Sequence, residues 1–253
     1  MKMQNGISRH TWTMISAILV LTGVVMYVYP FLANQVSQKY TDVTIGSFED
    51  AVHAMRRVPK TSSDNTLQLG GDPLDELLNR AEAYNQQLYE NGQKDLADPF
   101  SYEVSSFDLS DYGIEDDMFG SIEIPRISVR LGIYLGARTE NMSRGAVHLT
   151  QTSLPIGEIN SNAVIAAHRG TRYADMFLHI DRLQTGDEVI LTNAWDTLIY
   201  RVTSTAIIAP DEIGKILIQP GRDMVTLISC NPYGKNTQRY VVYCCRETDE
   251  ETS

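Results

Sequence analysis

Residues 224–245 read MVTLISCNPYGKNTQRYVVYCC, and two apolar segments in this stretch, 224–230 and 238–245, flank a turn-forming sequence. Apolar runs bounded by Asn, Pro and Gly predict two strands joined by a turn. If the strands pair as a hairpin, Cys230 lies nearly opposite Arg239, on the same face of the sheet. A strand end beside a loop holds a reactive side chain rigidly and leaves it accessible to a substrate.

This predicted pairing gives Cys230 and Arg239 a possible chemistry. A guanidinium beside a thiol lowers the pKa of the thiol, and it can also bind an oxyanion. Two structural alternatives stay open from the residues alone. Free cysteines are among the most buried residues in proteins, so Cys230 could be a core residue, and Arg239 could be an ordinary surface arginine.

The other two cysteines, Cys244 and Cys245, are predicted to be structural. Cys244 lies five residues beyond Arg239, which is about 16 Å along a strand, so neither thiol reaches Cys230. Adjacent strand residues point to opposite faces, so the two thiols do not bond each other. The same distances, and the lack of a C-x-x-C spacing, argue against a zinc site, and no cofactor is predicted.

Further strands are predicted outward from this hairpin. Apolar residues alternate in 129–135, and the other candidate strands are 146–149, 162–168, 188–193 and 196–209. Turn signals separate most of them, and one short helix is predicted over 174–180. Six to eight short strands indicate a mainly β domain over 118–246, either a closed barrel or a sandwich.

The N-terminal part of the chain predicts a membrane anchor. Residues 12–33 are uncharged and apolar, which is long enough for a helix to cross a hydrocarbon core of roughly 30 Å. Lys2 and Arg9 precede this run, so the positive-inside rule predicts a cytoplasmic segment 1–11 and an extracellular remainder. The alternative is a signal peptide cleaved after Ala33.

The intervening segments are predicted to be a linker and a helix. Residues 34–97 combine a polar linker, with some helix around 47–57, and an amphipathic helix from Asp72-Pro73 to Asn91-Gly92. Residues 98–117 form an acidic loop, and the acidic tail 247–253 is predicted to fray. The formal net charge is −11, so nucleic-acid binding is disfavoured.

His168 is the candidate acid or base. It ends the predicted strand in AVIAAHRG (163–170), and a cysteine nucleophile commonly uses a histidine to protonate the leaving amine. His148, in GAVHL, is the nearest competitor for this role. The residues alone do not place either histidine next to Cys230.

These motifs together resemble the sortases, the membrane-anchored cysteine transpeptidases of Gram-positive bacteria. AVIAAHRG is similar to the family's catalytic-histidine segment, TLISC (226–230) to its TLxTC signature, and Arg239 to its catalytic arginine. The order His, Cys, Arg also agrees. The resemblance covers about 118–246 and implies an eight-stranded β-barrel with Cys230 as nucleophile, His168 as acid and base, and Arg239 as oxyanion or substrate stabiliser.

The subclass that the chain resembles most is class C, the pilin polymerases. CNPYGKNTQR (230–239) is similar to the class C run, with Asn231 as a departure. Class C enzymes often carry a lid with a D-P-aromatic triplet, and Asp98-Pro99-Phe100 matches it, which implies Asp98 and Phe100 as lid residues. The chain departs from many class C members by ending in an acidic tail instead of a second membrane helix.

The resemblance implies a reaction and its partners. The enzyme would cleave an LPxTG-like sorting signal of a surface or pilin protein between Thr and Gly, through a thioester on Cys230. An amine, a pilin lysine, would then resolve the thioester without cofactor or metal. The alternatives are a sortase that anchors proteins to peptidoglycan and, from another class, an inactive membrane-tethered binding module.

Overall fold

The computed structural model describes residues 9–57, 72–94, 96, 104–114 and 116–247. Its helices are α1 (Arg9–Arg57), α2 (Pro73–Asn91) and α3 (Thr139–Arg144). Its strands are β1 (Met118–Ile124), β2 (Val129–Leu135), β3 (Ala146–His148), β4 (Ser161–Ala166), β5 (Glu188–Asn193), β6 (Thr197–Ile208), β7 (Asp223–Asn231) and β8 (Gln238–Arg246).

The eight strands close into a barrel in the order β1-β2-β3-β4-β7-β8-β6-β5, and β5 pairs with β1 to complete it. This confirms the predicted closed eight-stranded barrel and excludes the sandwich. The β4–β7 pair is parallel, so the carboxyl ends of both strands lie at the same end of the barrel. Strand β8 begins at that end because it pairs antiparallel with β7.

Alternate residues of β4, β7 and β8 enter two different apolar clusters. The first cluster draws residues from all eight strands and fills the barrel interior; it includes Ile165, Leu227 and Val242. The second cluster joins the outer face of the barrel to α1 and α2; it includes Val164, Ala166, Ile228 and Val241. The outer face of the β4–β7–β8 wall is therefore apolar and partly covered.

Helix α1 is continuous for 49 residues, from the apolar segment to the barrel. Its N-terminal part is long and apolar enough to cross a membrane, and none of that stretch is buried against the rest of the chain. The structure thus differs from the prediction of a linker with some helix around 47–57. One stripe of α1, Thr41, Ile45, Phe48 and Val52, is buried. The stripe can be recognised only in the folded structure, where the barrel wall covers it.

Helix α2 begins and ends as its sequence predicts. The Asp72 side chain accepts a hydrogen bond from the Leu74 N–H at 3.0 Å, and Pro73 occupies the first turn. Gly92 ends the helix in the left-handed conformation, with a φ of 62°. The helix attaches to the barrel through Asn85, whose side chain donates to the carbonyl of Leu154 and accepts from its N–H.

The short helix predicted over 174–180 is wrong. Turns occupy most of this segment, and a 3-10 turn follows at Ile180–Arg182. The Thr171 hydroxyl accepts hydrogen bonds from the N–H groups of Tyr173 and Ala174 at 3.2 and 3.0 Å. Such local side-chain bonds compete with helix formation.

Candidate active site

The β7–β8 hairpin places Cys230 directly opposite Arg239. The two residues are cross-strand partners in the antiparallel register. Directly opposed residues have Cβ atoms about 4.5–5.5 Å apart, with both side chains on one face. The hairpin pairing of Cys230 with Arg239 that the sequence predicted is therefore present in the structure.

The parallel β4–β7 pair brings His168 to the same end. Ala166 pairs with Ile228, and the Ala167 N–H donates to the Ile228 carbonyl at 3.2 Å. The buried Ser229 hydroxyl donates to the Ala167 carbonyl at 2.9 Å, which fixes the end of β4 against β7. Two residues past Ala166, His168 lies at the level of Cys230.

The three candidate residues also share one face of the wall. Cys230 follows Ile228 by two residues and Arg239 precedes Val241 by two, so both belong to the outer face. His168 continues the outer-face alternation of β4. All three side chains are partly exposed, whereas most of the strand residues behind them are buried. A substrate can therefore reach them from outside the barrel.

Arg169, which follows His168, contacts several of the elements that form the site. It donates to the Asn231 side chain and to the Asp181 carboxylate, each at 2.6 Å. Its guanidinium also lies over the Tyr240 ring, 5.6 Å from the ring centre. Only 9% of the side chain is exposed. Arg169 thus joins the histidine segment to β7, to β8 and to the 3-10 turn.

Asn231 extends this connection to β8. Its side-chain amide donates to Gln238 at 3.3 Å, one residue before Arg239. From the sequence, Arg169 was only a part of the AVIAAHRG motif and Asn231 only a departure from the class C run. Their positions could have indicated a role in the site, because each residue directly follows a candidate catalytic residue.

The guanidinium of Arg239 is supported by the turn that precedes it. Its Nη1 donates to the carbonyls of Gln238 and Asn236, at 3.1 and 3.4 Å. These contacts hold the cation at the turn end of the hairpin, on the face that Cys230 shares. A cation at that position can stabilise negative charge that develops beside the thiol.

The two histidines have different environments. Partial burial lowers the pKa of His168, because desolvation disfavours the charged imidazolium. His148 is completely buried, its Nε2 lies 2.8 Å from the Ser153 carbonyl, and burial lowers its pKa to about 4. A histidine buried in this way holds the loop after β3 and does not meet a substrate.

The remaining cysteines lie away from Cys230. Cys244 pairs with Val225, and Cys245 pairs with Met224, at the opposite end of β7. Cys244 is fully buried, and burial raises the pKa of its thiol. All three cysteines are unbridged. Within the described part of the chain, His, Cys, Asp and Glu residues form no group suited to hold a metal ion.

Asp98 and Phe100, the predicted lid residues, lie outside the described residues. The segments on either side do pack onto the outer face of the barrel. Leu96 and Phe107 are both buried in the cluster that contains Ile228 and Val241.

A partly exposed thiol, a histidine at the same level and an opposed arginine define a cysteine acyl-transfer site on a β-barrel. A sortase-domain family model matches residues 122–247. The structure resembles sortase C1 of GBS pilus island 1, at 31% identity and a TM-score of 0.68, covering 82% of this chain and 98% of that one. The chain therefore belongs to the sortase family of cysteine transpeptidases.

Other relatives support the same assignment. Sortase C-1 from Streptococcus pneumoniae is 33% identical, with a TM-score of 0.65, and the match covers 81% of this chain and 98% of that chain. Sortase D of Bacillus subtilis is 27% identical over 132 residues, covering 51% of this chain. That match spans 64% of the length of the Bacillus protein. The structural neighbours are thus class C sortases, whereas the match to the Bacillus protein covers about half of this chain.

Proposed function

We propose that this sortase cleaves an LPxTG-like sorting signal between Thr and Gly and transfers the acyl group to an amine, a lysine of a pilin subunit. The observation that carries the proposal is the opposed pair Cys230 and Arg239 at the level of His168. The similarity over most of the chain to a sortase of a pilus island favours pilin substrates.

The proposed chemistry balances within the site. His168 takes the thiol proton, and the Cys230 thiolate attacks the Thr carbonyl carbon. Arg239 stabilises the resulting oxyanion. The imidazolium of His168 then protonates the glycine amine as the C–N bond breaks, which leaves a thioester. An acceptor amine attacks this thioester, an amide bond forms, and the proton returns to the thiol through His168.

The lowered pKa of His168 suits this sequence. A neutral ring can accept the thiol proton at neutral pH, and an imidazolium in a partly desolvated site readily gives its proton to the leaving amine. The thioester conserves the free energy of the cleaved peptide bond, so an extracellular enzyme needs no nucleotide for the transfer.

We further propose that residues 12–33 of α1 span the membrane, with segment 1–11 cytoplasmic and the barrel extracellular. The length and composition of the apolar stretch support the span. Lys2 and Arg9 before it support the orientation. In the same way, Asp98 and Phe100 are proposed as a lid over Cys230, supported by the packing of Leu96 and Phe107 on the outer face.

An acceptor assay tests the proposed transfer. The purified enzyme is incubated with a fluorogenic LPxTG-type peptide and with either a lysine-containing pilin peptide or a peptidoglycan cross-bridge amine, and products are identified by mass spectrometry. The proposal expects an isopeptide product with the pilin lysine that exceeds hydrolysis and is absent with Cys230→Ala. Transfer to the cross-bridge amine alone would instead favour the wall-anchoring alternative.

A further inference from the structure

The loop that follows the catalytic histidine is attached directly to the end of the apolar segment of α1. The Asn34 side-chain amide donates to the Asp175 carboxylate at 2.9 Å, and its oxygen accepts from the Asp175 N–H at 3.2 Å. Two hydrogen bonds between one pair of residues fix both the position and the orientation of the loop on the helix.

The strand directions place the whole active site at the end of the barrel that lies nearer to the apolar segment of α1. Near the start of β2, Arg130 pairs with Asp42 of α1 at 2.7 Å. At the opposite end, the Ala194 carbonyl accepts a hydrogen bond from Arg56. Asp42 is much closer than Arg56 to the apolar segment. Strand β1 is antiparallel to β2, β3 is parallel to β2, β4 is antiparallel to β3, and β7 is parallel to β4. Strand β7 therefore runs opposite to β2. Since β2 begins near Asp42, β7 ends there, and Cys230 lies at the Asp42 end of the barrel.

Helix geometry then sets the distance to the bilayer. Residues 12–33 extend about 33 Å as a helix at 1.5 Å per residue, close to the thickness of a hydrocarbon core of roughly 30 Å. Trp12 and Tyr29, both exposed, lie near the two ends of this stretch, as interfacial aromatic residues do. Asn34, and with it Asp175, therefore falls in the headgroup layer.

An exposed apolar groove lies at the same level. Tyr173 of the loop faces α1 across an open groove of about 450 Å³; the helix residues that line it are Tyr29, Leu32, Ala33, Val36 and Ser37. Tyr173 itself is 55% exposed. Tyr29, Leu32 and Ala33 also belong to the proposed membrane span, so lipid that surrounds the end of the span reaches the groove as well.

We propose that the loop around Tyr173 seats in the interfacial layer of the outer leaflet, so that lipid fills the groove and the catalytic end of the barrel faces the bilayer. The inference rests on the proposed membrane span of α1. Tyrosine suits this position because its ring is apolar and its hydroxyl stays hydrated. The His168 segment, five residues earlier, is then held at a fixed height above the membrane surface.

Nitroxide accessibility in vesicles tests the inference. The full chain, with Cys230→Ala and Cys245→Ser, is reconstituted in phosphatidylcholine vesicles with a single spin label. The label is placed at Arg172→Cys, which leaves Tyr173 intact. The reference positions are Val20→Cys in the apolar segment and Asp196→Cys in an exposed turn at the opposite barrel end. Collision rates with oxygen and with a soluble nickel chelate report the depth of each label.

The inference expects the label at position 172 in the interfacial layer, which occupies about 5–7 Å on each side of the hydrocarbon core. Tyr173→Ser should then shift that label toward the aqueous values of position 196. A fully aqueous label at 172, with position 20 in hydrocarbon, would overturn the inference and leave the span intact. Aqueous values at position 20 would overturn both. Spin–spin broadening at 172 would assign the groove to a second copy of the chain and also overturn the inference.

Discussion

Arg169 and Asn231 form a 2.6 Å hydrogen bond that joins the residue after His168 to the residue after Cys230. The bond lies beside an ion pair between the same guanidinium and Asp181. Arg169 is nine-tenths buried and does not belong to the exposed face that a substrate reaches. Its position assigns it the role of keeping the histidine and cysteine segments in register.

Replacing Arg169 with lysine should therefore lower kcat more than it changes KM. Lysine keeps the charge but not the planar fork that bonds two partners at once. Hydrogen bonds to charged groups are worth about 1.5–3 kcal/mol, so a loss of about 10- to 100-fold in kcat is expected. Arg172→Lys, an exposed arginine of the same loop, is the matched control. Steady-state kinetics and the thermal unfolding temperature are measured together.

A second variant separates positioning from folding. Asn231→Ala should reproduce the kcat loss, and the double variant should lose less than the product of the two single losses, because both act through one contact. If the variants lose only thermal stability, with kcat per folded molecule unchanged, Arg169 has no positioning role.

His168→Ala and Arg239→Lys should each lower turnover of a sorting peptide by about two orders of magnitude or more. General acid–base catalysis is worth about 10²–10⁴-fold and an oxyanion donor about 10²–10³-fold. His53→Ala, in an exposed histidine of α1, is the control. Loss of chemistry with His148→Gln but full activity with His168→Ala would show that the other histidine is the catalytic one.

His148 should make folding stability sensitive to acid. The unfolded state protonates this histidine near its ordinary pKa of 6.5, whereas the folded state resists protonation down to about 4. Between these values the unfolded state binds more protons, so stability falls as the pH falls. The shift corresponds to about 3 kcal/mol over the window, at about 1.4 kcal/mol per pH unit.

His148→Gln should remove this part of the pH dependence, and His53→Gln should not. Urea unfolding at several pH values between 4 and 7 measures the difference. Parallel stability curves for the wild type and His148→Gln would contradict a neutral, buried His148.

The proposed lid should slow access to Cys230. Replacing Asp98 and Phe100 with alanine is expected to speed alkylation of Cys230 by a small reagent. Loss of about 1.4 kcal/mol of closure free energy would raise the open fraction up to tenfold. The proposed lid places the Asp98 carboxylate near the thiol, and its removal would then also lower the thiol pKa. Rates across pH separate these effects, since a lid scales the whole curve and a pKa change moves its midpoint. An unchanged curve would reject the lid.

The strands and the pairing of Cys230 with Arg239 were predictable because they depend on local patterns, whereas closure of the sheet into a barrel was implied only by the family resemblance. The apolar runs of β7 and β8 and the turn sequence between them predicted the register of Cys230 and Arg239. The position of His168 needed the parallel contact of β4 with β7, which joins strands about 60 residues apart and leaves no local signal. The strand-end position made His168 a candidate, and the sequence resemblance then assigned it to the same site as Cys230.

Other features depend on tertiary contacts alone. The continuity of α1 beyond residue 33 follows from burial of Ile45 and Phe48 against the barrel, which overrides the polar composition of that segment. The acidic loop likewise hides apolar contacts, since Leu109 and Ile114 are buried within it. The bond between Arg169 and Asn231 could be found only from the folded chain.

The most direct test of the proposed mechanism is to trap the acyl-enzyme and locate it. The enzyme is mixed with an LPxTG-type peptide without an acceptor amine, quenched in acid, digested and analysed by mass spectrometry. We expect a hydroxylamine-sensitive thioester on Cys230 that is retained in Cys245→Ser and lost in Cys230→Ala. An adduct on Cys244 or Cys245, or undiminished peptide cleavage by Cys230→Ala, would contradict the assignment of Cys230 as the nucleophile.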